Sequence, residues 1–443
     1  MAEENSNALS THIDMKKLWE LLSIVVVTVI IWNLPTSTFG IDGLTVVQQR
    51  IIAIFVFATL SWLTECIPAW ATSLSIMTIM CVTVSKNAFG VFKHDGVGDL
   101  LDSKEIMASF ADPIIMLFLA GFILAIAASK SGLDTLLARN LIKPFGKKSE
   151  NVLLGFLLIT GLFSMFISNT ATAALMLTFL LNDPAGLNMN IDFFHWMAFM
   201  TPLVIILLII SWRIILHFFP FTQKTIHLKI DGEVHRGWRM WVVIITFIIT
   251  ILLWVIPKDV TGIDTNTVSM LPMGIFAITG VITAKDLQEI NWSVIWMVAG
   301  GFAIGLGMNG SGLADAAIES IPFGNWSPIA ILAISGLICY FLSNFISNTA
   351  TAALLVPILA VVCRGMGDKL GGIGGTSTIL IGIAIAASTA MCLPISTPPN
   401  AIAYSTGLVK QNEMLKVGLT CGLISLILGY LLLYFIGQIH FIG

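Results

Sequence analysis

The chain has 443 residues, 57% of them hydrophobic and 11% charged, with a formal net charge of −3 and a mean hydropathy of +0.94. A soluble domain cannot hide that much apolar surface, so the bilayer is the solvent and nucleic acid is excluded as a partner. Where the charges fall is more informative than their sum.

The first 15 residues are polar, and Lys16-Lys17 lead into the first apolar run. That run is expected to insert by itself rather than be cleaved as a signal. Apolar runs follow at 18–34, 50–66, 71–84, 113–128, 152–181, 196–219, 241–256, 269–283, 294–308, 328–362, 379–394 and 414–439. Most approach or exceed the roughly 20 residues that cross a hydrocarbon core of about 30 Å. Glu65 is expected to cap or pair at the end of a span, and Arg213 to snorkel to the cytoplasmic edge. The six cysteines have no metal-ligand or disulfide spacing and read as small core residues.

Lys130, Arg139, Lys143, Lys147 and Lys148 follow the fourth run, and Lys224, Lys229, Arg236 and Arg239 fill the longest central loop. Positive charge stays inside, so both stretches and the N-terminus are expected in the cytoplasm.

The two halves are related. LAGFILAIAASKSGL at 119–133 aligns with VAGGFAIGLGMNGSGL at 298–313, and FISNTATAAL occurs at both 166–175 and 345–354. Register is kept over about 55 residues, which composition alone does not produce. Counting spans, one unit starts its motif from the cytoplasm and the other from outside, so the repeats are expected to be inverted, as in secondary transporters.

Broken helices occur in a bilayer only where protein or water lines the break. Ser-Asn-Thr suits such a break, because short polar side chains compete with the helix ladder. The ATAAL that follows restarts a helix whose free N–H groups form an anion-binding end. The preceding carbonyls, with Ser and Asn oxygens, suit a hard cation such as Na⁺. The bland alternative is close helix packing by small residues. In the second half Pro398-Pro399 forbids a continuous helix across 395–400, so Ser396, Thr397 and Asn400 stand at a second break facing Ser347-Asn348-Thr349. Nucleophile elbows, phosphate loops and His/Cys clusters are absent, so an enzyme is not expected.

The paired SNT motifs, the Thr-Pro-Pro-Asn break, TECIP and the repeats resemble the divalent anion/sodium symporter family, over nearly the whole chain. The resemblance implies an all-α polytopic fold with inverted repeats, re-entrant hairpins and broken helices, working as an elevator-type homodimer in the cell membrane. It implies an arrangement of N-terminal scaffold spans (1–112), a first transport repeat (113–195), further scaffold spans with the central loop (196–288), a second transport repeat (289–413) and a C-terminal span (414–443). It implies Na⁺ at Ser343, Ser347, Asn348 and Ser396, and, in the first half, at Ser164, Ser168 and Asn169. Substrate contacts fall on Asn348, Thr349, Thr397 and Pro398, with Asn169 and Thr170 as the first-half match. The expected cargo is a divalent organic anion, a C4-dicarboxylate such as succinate, moved by Na⁺ symport or by exchange.

One departure stands out. The first half has no counterpart of the Thr-Pro-Pro-Asn break, and roughly 40 residues are missing after its SNT motif. An internally deleted, transport-inactive member is the alternative. Charge favours 152–181 as a single kinked crossing, which keeps the central loop cytoplasmic. Inheritance from intact relatives favours a re-entrant hairpin, and the hairpin is slightly preferred.

Overall fold

The structure is a computed structural model that describes residues 15–93, 96–164, 193–225, 237–256, 258–320, 325–345, 348–393, 396–405 and 407–438. In chain order its helices are α1 (Met15–Asn33), α2 (Val46–Thr64), α3 (Ala69–Thr83), α4 (Ser103–Ala108), α5 (Pro113–Ser131), α6 (Leu133–Leu141), α7 (Ser149–Ser164), α8 (Phe193–Phe218) and α9 (Trp238–Val255). They continue as α10 (Thr265–Ile278), α11 (Trp292–Gly310), α12 (Leu313–Ser320), α13 (Pro328–Ser343), α14 (Asn348–Met366), α15 (Gly375–Thr389), α16 (Pro398–Ser405) and α17 (Gln411–Gln438). Two isolated bridges are the β-structure among the described residues, so the all-α expectation holds.

Among the described residues, seven helical segments are long and apolar enough to cross a membrane. Shorter apolar helices include Ser149–Leu162, Pro328–Ser343 and Gly375–Thr389. At 1.5 Å per residue such helices reach about 24 Å, short of the roughly 30 Å hydrocarbon core. They have the length of limbs that stop partway.

The chain clusters into two compact units. One comprises Met1–Phe110 with Trp296–Ile321. In it, α2 opens with a capping box: Thr45 Oγ1 accepts from Gln48 N at 3.3 Å and Gln48 Oε1 accepts from Thr45 N at 2.9 Å. Gln49 Nε2 donates to the carbonyls of Ile31, Trp32 and Leu34, which closes the open end of α1. Arg50 is buried; its Nη1 donates to Thr83 O at 3.2 Å and Phe92 O at 2.9 Å. Its guanidinium lies 5.5 Å from the Trp32 ring and 5.2 Å from Phe92, contacts worth about 2 kcal/mol when desolvated. Glu65 adopts φ 49° and ends α2 through its own N–H to Ser61 O, with its side chain exposed, so the backbone does the capping.

The other unit comprises Ala111–Ile295 with Pro322–Gly443. Here α5 packs on α10 and α9, α7 on α8, and α15 on α13, α14 and α17. Ser149 Oγ donates to Gln223 O at 2.5 Å, its N–H to Lys224 O at 3.2 Å, and Trp212 Nε1 to Glu150 O at 2.8 Å. The start of α7 therefore lies beside the end of α8, and the two helices run antiparallel. Lys130 Nζ, at the end of α5, donates to Val281 O at 3.0 Å and Asp286 Oδ2 at 2.6 Å. Arg213 is exposed, with its guanidinium 4.5 Å from the Trp212 ring.

The sequence repeat has a local backbone counterpart. Helix α5 passes to α6 through Gly132, and α11 to α12 through Gly312; both glycines have φ 72°, a left-handed turn that a side chain would strain. The paired serines Ser164 and Ser343 both lie on helices, α7 and α13; the described part of α7 stops at Ser164, and α13 ends at Ser343. All six cysteines are free, and Cys66, Cys339, Cys363, Cys392 and Cys421 are buried.

Candidate functional site

Helix α13 starts with Ser327 as N-cap and Pro328 at its first position, where the missing N–H costs nothing. It ends at Ser343, and α14 restarts at Asn348. The predicted run 328–362 is thus two helices that pack against each other as a hairpin, split where SNFISN places four polar side chains that compete with the ladder. Helix α15 is buried along nearly its whole length and stops at Thr389, sooner than the predicted end at 394. Residues 390–397 are non-helical in their described part, and α16 begins at Pro398. As expected, no continuous helix runs across 395–400, and Ser396 and Thr397 stand in the unwound part; of the expected polar groups only Asn400 is already helical. Proline is tolerated in a first helical turn but pushes the residue before it toward extended backbone.

The unwound stretch satisfies its backbone with side chains. Cys392 N–H donates to Asn344 Oδ1 at 2.9 Å, and Asn344 Nδ2 donates to Tyr340 O at 2.8 Å. Leu393 N–H donates to Ser396 Oγ at 2.9 Å, while the Ser396 hydroxyl donates to Leu393 O at 2.5 Å. Asn400 Nδ2 donates to both Met391 O (3.0 Å) and Leu393 O (3.1 Å). Helix α17 lets this segment come close: a methyl on Gly418 would strike Met391 O and Cys392 Cα, and one on Gly422 would strike the Tyr340 hydroxyl and Thr389 O.

Two oxygens are left over. Ser343 Oγ, on a fully buried residue, and Asn348 Oδ1 have no hydrogen-bond partner among the described residues. An unsatisfied buried polar group costs about 1–3 kcal/mol, so this pair flanking the tip calls for a ligand. Neutral oxygens suit a hard cation.

The helix ends differ in what they offer an anion. The first residues of α14 are Asn348, Thr349 and Ala350, each with a backbone N–H that has no intrahelical partner. Helix α16 opens with two prolines, which have no N–H, and Asn400 N–H already donates to Thr397 Oγ1 at 3.3 Å. Donors for an anion therefore concentrate at α14, and at α16 the Thr397 hydroxyl proton remains.

Asn344 brings the tip carrying Ser343 and Asn348 to the break carrying Ser396 and Thr397. Thr349 and Pro398 are described by their backbone alone, and Ser347 lies outside the described residues. So do Ser168, Asn169 and Thr170, while Ser164 is the half-buried last residue of α7. Sequence reasoning missed Asn344, Tyr340 and the α17 glycines. The doubled Ser-Asn in SNFISN was the available signal for the first. Among the described residues no group of His, Cys, Asp and Glu is placed to hold a metal.

A multi-helix membrane fold in which a hairpin tip meets an unwound helix defines a membrane solute carrier. The profile of the sodium:sulfate symporter transmembrane region matches residues 15–181 and 164–440, sharing the stretch that holds the first motif copy. The chain belongs to that family, and is a multi-pass membrane transporter rather than an enzyme. It is 27% identical to the sodium-dependent dicarboxylate transporter SdcS of Staphylococcus saprophyticus, over 92% of this chain and 89% of the relative. It is 28% identical to the SdcS of Staphylococcus aureus strain MW2, over 87% and 85%. The crystal structure of the Alcanivorax borkumensis YdaH transporter aligns with a TM-score of 0.47 at 11% identity, covering 86% of this chain and 98% of that one.

Proposed function

We propose that the chain is a Na⁺-coupled transporter of C4-dicarboxylates such as succinate, working by symport or exchange as a homodimer of inverted repeats. The observation that carries this is the pair of unpartnered oxygens, Ser343 Oγ and Asn348 Oδ1, beside the open N-terminus of α14. The sodium-dependent dicarboxylate transporters among its relatives support both cation and cargo.

Ser343 and Asn348 supply neutral oxygens for the cation, with Ser347 completing the tip. Ser396 uses its proton on Leu393 O, which leaves a lone pair on Oγ for the same role. One substrate carboxylate meets the α14 backbone N–H groups with Asn348 and Thr349, and the Thr397 hydroxyl donates from across the break beside Pro398. Bound Na⁺ supplies positive charge where the described tip and break carry no Lys or Arg. Ser164, Ser168, Asn169 and Thr170 are the first-half candidates by their match to the second motif copy, and the sequence after them has no counterpart of the Thr-Pro-Pro-Asn break.

The antiparallel pairing of α7 with α8 returns the chain to the side of Lys148 at Lys224. That is the side the charge pattern requires; residues 165–192, where a hairpin and a crossing would differ, lie outside the described residues. Both basic stretches and the N-terminus then face the cytoplasm.

Uptake of labelled succinate into inside-negative vesicles, with Na⁺ and with choline in its place, tests the function. Saturable uptake that needs Na⁺ or an internal dicarboxylate is expected; none under either condition overturns it.

A further inference from the structure

We infer that Asn344 is a positioning residue that locks the unwound stretch after α15 onto the hairpin tip, holding the cation and anion groups in register; this rests on the proposed transport site. The amide is buried, 6% exposed, and both its ends are engaged. Its Nδ2 donates to Tyr340 O within α13, and its Oδ1 accepts the N–H of Cys392, 48 positions further along the chain. Tyr340 adds a second tie, its hydroxyl lying 3.5 Å from Cys392 Sγ.

The other side-chain bonds of the break are internal to it. Ser396 and Asn400 serve Met391 and Leu393 within a few residues, and would do so wherever the break stood. Asn344 belongs to the opposing element, so its bond fixes where the break stands. It also directly follows Ser343, whose hydroxyl is unpartnered, and sits four residues before Asn348, whose Oδ1 is unpartnered. Without the amide, Cys392 N–H is buried with no acceptor, and a buried donor in a bilayer finds another partner by moving.

The test reads Cys392, which is 4% exposed. In detergent, the rate of its alkylation by N-ethylmaleimide is followed by peptide mass spectrometry and taken relative to wild type, with Cys66 as internal reference. Asn344→Ala is expected to raise the Cys392 rate at least tenfold. In vesicles, Asn344→Ala should raise the Na⁺ concentration for half-maximal succinate uptake at least tenfold, with less effect on the maximal rate. An unchanged Cys392 rate in Asn344→Ala overturns the inference. Should Asn344→Ala not fold, deuterium exchange of the wild-type protein decides: the Cys392 amide is expected to exchange at least tenfold more slowly than an unstructured amide, and exchange at the unstructured rate overturns the inference. Wild-type protein that takes up no succinate while Cys392 follows this pattern refutes the transport reading and leaves the lock standing.

Discussion

Lys130 and Asp286 lie 156 positions apart in the chain and meet at 2.6 Å, the ammonium also reaching Val281 O. The carboxylate accepts from Thr283 N at 2.6 Å and Thr283 Oγ1 at 2.7 Å. Burial alone would raise its pKa; the Lys130 bond, the Thr283 bonds and the Lys130 charge outweigh it and hold the group at about 2. The tie joins the end of α5 to the loop that follows α10, so it sets those two helices in register.

A pH dependence follows. A carboxyl with a depressed folded pKa contributes stability that is complete above its unfolded value of about 4 and is lost as pH falls toward 2. Asp286→Asn should therefore lower the melting temperature in detergent at pH 7, by the equivalent of about 1 kcal/mol because half-exposed Lys130 is screened. The deficit should shrink by pH 3. A deficit of equal size at both pH values would show that the charge is not responsible.

Tyr430 threads its hydroxyl from α17 toward α15, donating to Gly382 O at 3.1 Å through space that Gly336 leaves open. A methyl on Gly336 lands on the Tyr430 ring. Gly336→Ala should cost about 1–3 kcal/mol by overpacking. In a Tyr430→Leu background it should cost little. Thermal unfolding followed by tryptophan fluorescence gives the coupling, and simple additivity of the two changes would refute the contact.

Ser343 offers a trade between stability and binding. Its orphan hydroxyl is a liability when no ligand is near, so Ser343→Ala should melt higher than wild type in choline buffer, by roughly 1 kcal/mol. Added Na⁺ should stabilise wild type by mass action and the variant much less. Equal Na⁺-induced shifts in both proteins would remove Ser343 from the cation site.

The pairing of Ser149 with Gln223 and Lys224 predicts sidedness. Lys147→Cys and Lys224→Cys should both resist a membrane-impermeant maleimide in intact cells and react once the cells are permeabilised. Labelling of one but not the other in intact cells would mean that 152–181 returns as a hairpin after all.

The all-helical membrane fold, the repeat and the polar tip were legible from composition and from FISNTATAAL. Apolar period and polar interruption are local properties, and local properties are written in consecutive residues. The unwound stretch holds Ser396 and Thr397, where the break is expected, but opens after Thr389 and not after 394 as the apolar run implies, with Pro398 and Pro399 behind it. They are its far edge, since proline starts a helix as readily as it stops one. Asn344 and Tyr340 are not legible in the sequence because their worth depends on Cys392, and nothing near residue 344 announces a partner 48 positions away. Arg50 looks in sequence like no more than the start of a span for the same reason: its acceptors, Thr83 and Phe92, and its ring partners lie on other segments.

Helix α15 has side chains covered on every face from Ser377 to Ala387. A rod sheathed in this way has no free flank along which to slide, since any axial step would drag Ile379, Ile381, Ile383 and Ile385 past filled neighbours. Its broken end can travel far only if α13, α14 and α17 travel with it. Any long movement of that broken end is thus a task for a whole block of helices.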